Sequence, residues 1–408
     1  MNIVEFQPPH RARSILLIFM AVLATVFIWS PLYAHKIGQS YIYLRVYENS
    51  ITGLFDITLR DLNKAMDLNL PDDQITVANL SDRIDEIHTY YQEKVQFFDG
   101  EKRLPIRFTG LDKRKLKIGQ YVLLKFSIIE DALTPEAINI DYNVLFDKDP
   151  DHLGLLVIEH FWKAGIFKNE SQVSLIFSPS EHRQQLSFSG YTKFQGFSAV
   201  VKLGIKHIWK GIDHILFLIA LIIPSAMIRR KNNWEPVTEF RPAIIYVVKI
   251  VTLFTIAHSV TLSIAALGIF DLPNRLVESI IALSIAVAAL DIIFPIFKRK
   301  IGWVVFIFGL FHGFGFASVL LRLGVLGEHM ALSLFGFNFG VEVGQVVVIC
   351  IIFPVIYFIR RYAFYPKIIM RYGAATMILL AAFWFVERAF LNISFARLLK
   401  RSIKTIIQ

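Results

Sequence analysis

His207-Ile-Trp-Lys-Gly-Ile-Asp213-His214, followed at once by the apolar run Ile215 to Ile223, sets two imidazoles and a carboxylate at the mouth of a stretch fit for lipid. Ionisable groups inside transmembrane helices are costly, so they face a bundle interior or a water-filled cavity and mark ion, proton or catalytic sites. Further apolar stretches of the second half carry His258, Glu278, His312 and Glu342 in the same manner. The pattern predicts a membrane protein with a polar, metal-binding centre.

Composition agrees. Of 408 residues 55% are hydrophobic, 36 are Phe and only 19% are charged, too apolar for an ordinary soluble chain. The apolarity is uneven, which divides the chain into residues 1–34, 35–197, 198–395 and 396–408. The first reads as a signal peptide or N-terminal anchor: Arg11 and Arg13 precede the apolar Ile15 to Trp29, and Leu32-Tyr33-Ala34 offers a cleavage site. Cleavage there would expose His35, whose amine and imidazole could chelate a metal. The second reads as an extracytoplasmic β-rich domain, the third as a transmembrane domain and the fourth as a basic tail. The formal charge of +10 does not call for nucleic acid. Arg229-Arg230-Lys231, Lys298-Arg299-Lys300 and Arg360-Arg361 flank hydrophobic runs, where cations hold helix ends on the cytoplasmic side. Cys350 is the single cysteine, so no intrachain disulfide framework exists.

In residues 35–197, Ser40 to Tyr47 alternates in polarity and Ile51 to Leu59 follows a short polar turn, predicting two paired strands. Further strands are expected at Tyr121 to Ile129, Ile138 to Phe146, Leu155 to His160, Val173 to Phe177 and Gln185 to Phe188, with a charged helix over Leu80 to Phe97. The expected fold is a β-sandwich with a helical insertion. His152, His160 and His182 are scattered there and read as surface or structural.

The hydrophobic half divides into six spans: about Ile208 to Ile228, Ala243 to Leu267, Leu276 to Phe297, Ile301 to Leu321, Ala331 to Phe358 and Ile368 to Phe390. The fold class is thus an α-helical polytopic membrane bundle of about six spans, preceded by an extracytoplasmic β-sandwich-like domain. With the amino-terminal domain outside, the first span runs inward and the strongest basic clusters fall in the cytoplasm. Arg397, Lys400, Arg401 and Lys404 would then lie outside or on the membrane surface.

This topology brings the candidate metal ligands His207, Asp213, His214, His258, Glu278, His312 and Glu342 into one layer, in the outer half of the membrane. His207 and His214 are seven apart, close to two helical turns and one face. Asn338, Glu342 and Gln345 form a polar stripe at i, i+4 and i+7; Asn338, Gln345 and Ser259 are supporting polar groups. Glu278 could instead cap a helix entrance, and Asn338 and Gln345 could simply join helices. Imidazole with carboxylate suits Ni, Co, Zn or Fe, while a thiolate-rich site is excluded. Asp291 and Glu387 are weaker candidates for an inward path, since charges near helix ends snorkel.

The chain resembles the HupE/UreJ family of membrane proteins, in the branch with an extracytoplasmic domain. His207, Gly211, Asp213 and His214 match a His-x-x-x-Gly-x-Asp-His signature, with Ile208 where nickel permeases commonly carry Pro, and Phe311-His312-Gly313 matches a second pattern. That second pattern continues towards Gly and Glu, where this chain has Ala317 and Val319. Phe254 to Leu262, Val277 to Ser284 and Phe337 to Gln345 complete the likeness, over about residues 200–350. The resemblance implies nickel or cobalt uptake, or metal handling linked to hydrogenase or urease maturation, in a bacterial inner membrane. A divalent-metal permease or metal-handling protein is therefore the leading expectation, with the bilayer, a divalent transition metal (Ni, Co or Zn) and an extracytoplasmic protein as partners and no nucleic acid. Two alternatives stay open: a metal-dependent intramembrane hydrolase using Glu278 or Glu342 as base on a lipid or membrane peptide, and a membrane sensor or assembly factor.

Overall fold

The computed structural model describes residues 38–68, 82–116, 119–129, 133–230, 233–270, 272–294, 296–297, 300–322, 325 and 329–390. The signal or anchor segment, His35 and the basic tail 396–408 lie outside the described residues.

The alternation from Ser40 forms β1 (Gln39–Val46), which pairs antiparallel with β2 (Ile51–Thr58), Tyr41 opposite Asp56. Ile42, Leu44 and Val46 enter the main core, while Tyr41 and Tyr43 pack with Leu155 and Val157 on the other face. The chain continues through α1 (Leu59–Ala65), α2 (Ile84–Lys94), β3 (Val95–Asp99), β4 (Lys102–Leu104), β5 (Arg107–Leu116), β6 (Gly119–Ile129), β7 (Ala137–Tyr142), β8 (Leu153–Phe161), β9 (Ile166–Phe167), β10 (Leu175–Phe177) and β11 (Arg183–Ser187). One sheet runs β10-β8-β1-β2-β6-β5, with β9 beside β8; the other runs β11-β7-β3-β4. They share a core in which Phe126 of β6 stacks on Phe55 of β2 at 4.1 Å and on Phe97 of β3 at 5.8 Å. The expected sheet-rich domain is present.

Two details differ. The helix expected to reach Phe97 stops at Lys94, because Val95 and Phe97 bury on alternate positions and serve better as β3. The long strand β5 escaped the hydrophobic pattern because it is an edge strand whose Lys, Arg and Asp residues suit an exposed sheet border.

The second half comprises α3 (Lys193–Lys210), α4 (Ile212–Ser225), a hairpin of β12 (Met227–Arg230) and β13 (Asn233–Pro236), α5 (Phe240–Ala266), α6 (Asn274–Ile293), α7 (Ile301–Arg322), α8 (Met330–Ile359) and, after a π-helical stretch Tyr365–Tyr372, α9 (Gly373–Phe390). Five helices are long and apolar enough to cross a membrane, and α3 with α4 makes a sixth if the pair, bent by 71°, counts as one span. Ile256, Val260, Ile351, Val355 and Leu379 are exposed on the outer faces, as lipid allows. The chain is an integral membrane protein with a sheet-rich domain ahead of its helices.

The bent pair corrects the expectation of a straight first span with His207 and His214 stacked on one face. Gly211 leaves the helix at φ −79°, ψ 93°, and a new helix starts at Ile212. Glycine gives up helical geometry at little cost. Meanwhile α3 is committed to a different neighbour. Its first turn is fixed by a capping box between Thr192 and Gln195, and it runs parallel to α8, with Gly204 against the Phe337 carbonyl and Gly340 against the Val201 carbonyl. A Cβ at either glycine would overlap the facing backbone. Trp162, just after β8, seats the sheet domain on this pair: its Nε1–H donates to Ser333 Oγ at 2.9 Å and its carbonyl abuts Gly196.

Candidate metal centre

The bend at Gly211 turns His207, in the last turn of α3, back towards His214 in the first turn of α4. Their ring centres lie 4.5 Å apart. From α5, His258 stands 6.2 Å from His207, and from α7, His312 stands 5.4 Å from His214. Four helices thus contribute one imidazole each. His214, His258 and His312 are buried and His207 half-buried. Phe217, Phe254, Phe316 and Phe337 pack against the rings. Close helix approach makes room for this: Gly313 sits against the His258 carbonyl and the Thr261 hydroxyl, where a larger residue would separate α5 from α7.

The hydrogen bonds around the rings assign their tautomers. His312 Nδ1 lies 2.8 Å from the Phe308 carbonyl, which only accepts, so Nδ1 carries the proton and Nε2 a lone pair. His258 Nδ1 faces Asn338 Oδ1 at 3.3 Å, and Asn338 Nδ2 donates to the Leu334 carbonyl at 2.9 Å, which aims the amide oxygen at the imidazole. His258 is therefore also an Nδ1–H tautomer with an open Nε2. Carbonyl or amide partners behind a ring orient metal-ligating histidines in this way. Nε2 of His207, His258 and His312 and both ring nitrogens of His214 are buried without a hydrogen-bond partner. An apolar collar makes such orphaned polar atoms expensive unless something occupies them.

A polar ladder continues from the rings between α5 and α8. Thr255 Oγ1 donates to Gln345 Oε1 at 2.7 Å, and Thr252 Oγ1 donates to Glu342 Oε1 at 2.5 Å. Glu342 Oε2 is buried and lacks a partner. Ser259 returns its hydroxyl to the Thr255 carbonyl at 2.7 Å, which makes it a local support. Thr252 and Thr255 were not among the expected residues. Their signal was readable: Thr252, Thr255 and Ser259 fall at i, i+3 and i+7, a stripe matching Asn338, Glu342 and Gln345.

Other candidates lie elsewhere. Asp213 turns its carboxylate to Arg388 of α9, at 3.0 and 3.2 Å. Glu278 is exposed, and its backbone carbonyl accepts from Arg388 at 3.2 Å. Asp291 Oδ1 accepts from the N–H groups of Ile296 and Phe297 at 2.7 and 2.9 Å, a loop-closing role. Among the described residues no group of three or more His, Cys, Asp or Glu stands ready as arranged to hold a metal ion. In the sheet domain the histidines stay apart: His152 Nε2 meets Ser40 Oγ at 2.7 Å, and His182 Nδ1 meets Asp141 Oδ1 at 2.9 Å.

Fold and site together define a polytopic membrane protein with a cluster of histidines buried among its helices. A family model described as HupE / UreJ protein matches residues 183–388, half of the chain, from before α3 into the last turn of α9. The chain belongs to the HupE/UreJ family. No curated protein matches it.

Proposed function

We propose that this protein is a permease for a divalent transition cation of the nickel or cobalt type. The observation that carries the reading is the set of inward-facing imidazoles from four helices, whose Nε2 atoms are buried and unpartnered. Neutral imidazole is a strong donor to late first-row divalent ions, and the family is associated with nickel and cobalt handling. In this scheme His207, the half-buried ring, receives the cation; His214, His258 and His312 then replace part of its water shell. Glu342, between the threonines and Gln345, supplies the next oxygen donors on the inward side. The cation is cargo, so its hold on each station must be loose enough for release.

Uptake of radioactive nickel into proteoliposomes tests the proposal. The wild-type protein should accumulate the ion down its gradient, and His214→Ala or His312→Ala should reduce uptake to the level of empty vesicles. Equal uptake by wild type and both folded variants would overturn it, and metal-dependent hydrolysis of a lipid or peptide without uptake would move the site to the enzyme reading.

A further inference from the structure

Asp213 directly precedes His214, yet its carboxylate is spent on Arg388. One nitrogen of the guanidinium, Nη2, spans both carboxylate oxygens at 3.0 and 3.2 Å, while Nη1 donates to the Glu278 carbonyl at 3.2 Å. The Trp384 ring lies 5.4 Å from the guanidinium carbon, and Arg275 Nε donates back to the Arg388 carbonyl at 3.2 Å. Arg388 therefore ties α4, α6 and α9 together beside the histidines. Both side chains of the pair are about four-fifths buried, at 20% and 22% exposure.

We infer that Arg388 is a built-in counter-cation, which neutralises Asp213 while the histidine centre is empty and yields it when a divalent ion enters. The inference rests on the permease reading above. Its physical basis is charge balance. Four neutral imidazoles bring no negative charge, so a carboxylate beside them lowers the cost of holding a doubly charged ion in a low-dielectric surrounding. Asp213 is the second residue of α4, two after the Gly211 break and next to His214, so the exchange needs only that its side chain turn from α9 to the rings. A guanidinium released at the end of α9 can extend to the membrane surface, as long cationic side chains do. Exchange of one cation for the other keeps the carboxylate paired throughout, which lowers the cost of both loading and unloading.

Arg388 is thus a positioning and competing residue, and the competition has a sign that a structural role lacks. Nickel binding to the full-length protein in detergent should be measured by equilibrium dialysis for wild type, Arg388→Gln, Asp213→Asn and the double variant. Arg388→Gln should bind nickel at least about tenfold more tightly, Asp213→Asn about tenfold more weakly, and the double variant like Asp213→Asn alone. Equal or weaker binding by folded Arg388→Gln would overturn the inference, as would a double variant that gains affinity over Asp213→Asn. If Arg388→Gln fails to fold, Arg388→Lys, with a single point charge in place of the fork, should show a smaller tightening; none would overturn it. His214→Ala separates the two claims. Binding abolished by His214→Ala but unchanged by Arg388→Gln removes this inference alone, whereas no nickel binding by wild type removes the permease reading with it.

Discussion

Histidine is used in two ways in this molecule. In the sheet domain each ring is solitary: His152 rests on Ser40, His182 on Asp141, and His160 lies between Tyr47 and Phe167. In the membrane half four rings from four helices face one another, with polar atoms turned to no partner. Neither burial nor an unpartnered nitrogen separates the two groups, since His152 and His160 are as deep as His214 and each also buries an Nδ1 without a partner. Convergence does. A single buried imidazole is a packing solution; four meeting across helices, with one nitrogen of His312 and one of His258 held by Phe308 and Asn338, form the arrangement on which the proposed metal site rests.

The histidine cluster depends most on the helix seams. Gly340→Leu would push α3 from α8, carrying His207 away from the cluster, and overpacking of this kind costs about 3 kcal/mol or more. The expected outcome is a large loss of thermal stability in detergent together with lost nickel binding. In the sheet domain the test is acid. Burial, and secondarily Arg45, lowers His160 to about 4 from its ordinary 6.5. A depressed histidine lends stability that is present above pH 6.5 and is lost as pH falls towards 4, at most about 3 kcal/mol. His160→Phe should flatten that acid loss in unfolding curves and leave nickel binding unchanged. Asn338→Leu sharpens the membrane side. Without the acceptor that fixes the His258 tautomer, nickel affinity should drop about tenfold with little change in stability, read by equilibrium dialysis. The smallest effect belongs to Gly211→Ala. Its Cβ would lie 2.5 Å from His214 Nδ1 and 2.9 Å from the His207 carbonyl, too close for both to stay in place, so the variant should lose about 1 kcal/mol of stability and bind nickel a few-fold more weakly.

Much of this was legible from the residues. Period-two alternation located β1, β2, β6 and β8, and hydropathy located five of the membrane helices. The histidines were legible because lipid leaves so few tolerable reasons for them. What escaped depends on geometry that sequence spacing does not carry. The seven-residue interval from His207 to His214 describes a straight helix face, but Gly211 permits a bend, and the seam of α3 with α8 makes it the better packing solution. Asp213 read as a ligand because it adjoins His214. Its partner, Arg388, is 175 residues away in sequence, where no local pattern announces it. Glu278, equally acidic and equally placed at a helix entrance, simply faces outward.

In the proposed function the four membrane histidines, and not those of the sheet domain, hold a transition cation. The direct measurement is elemental analysis of the purified full-length protein after nickel or cobalt loading, beside His214→Ala and His182→Ala. The account predicts stoichiometric metal in wild type and His182→Ala and none in folded His214→Ala. Metal retained by His214→Ala, or absent from loaded wild type, would contradict it.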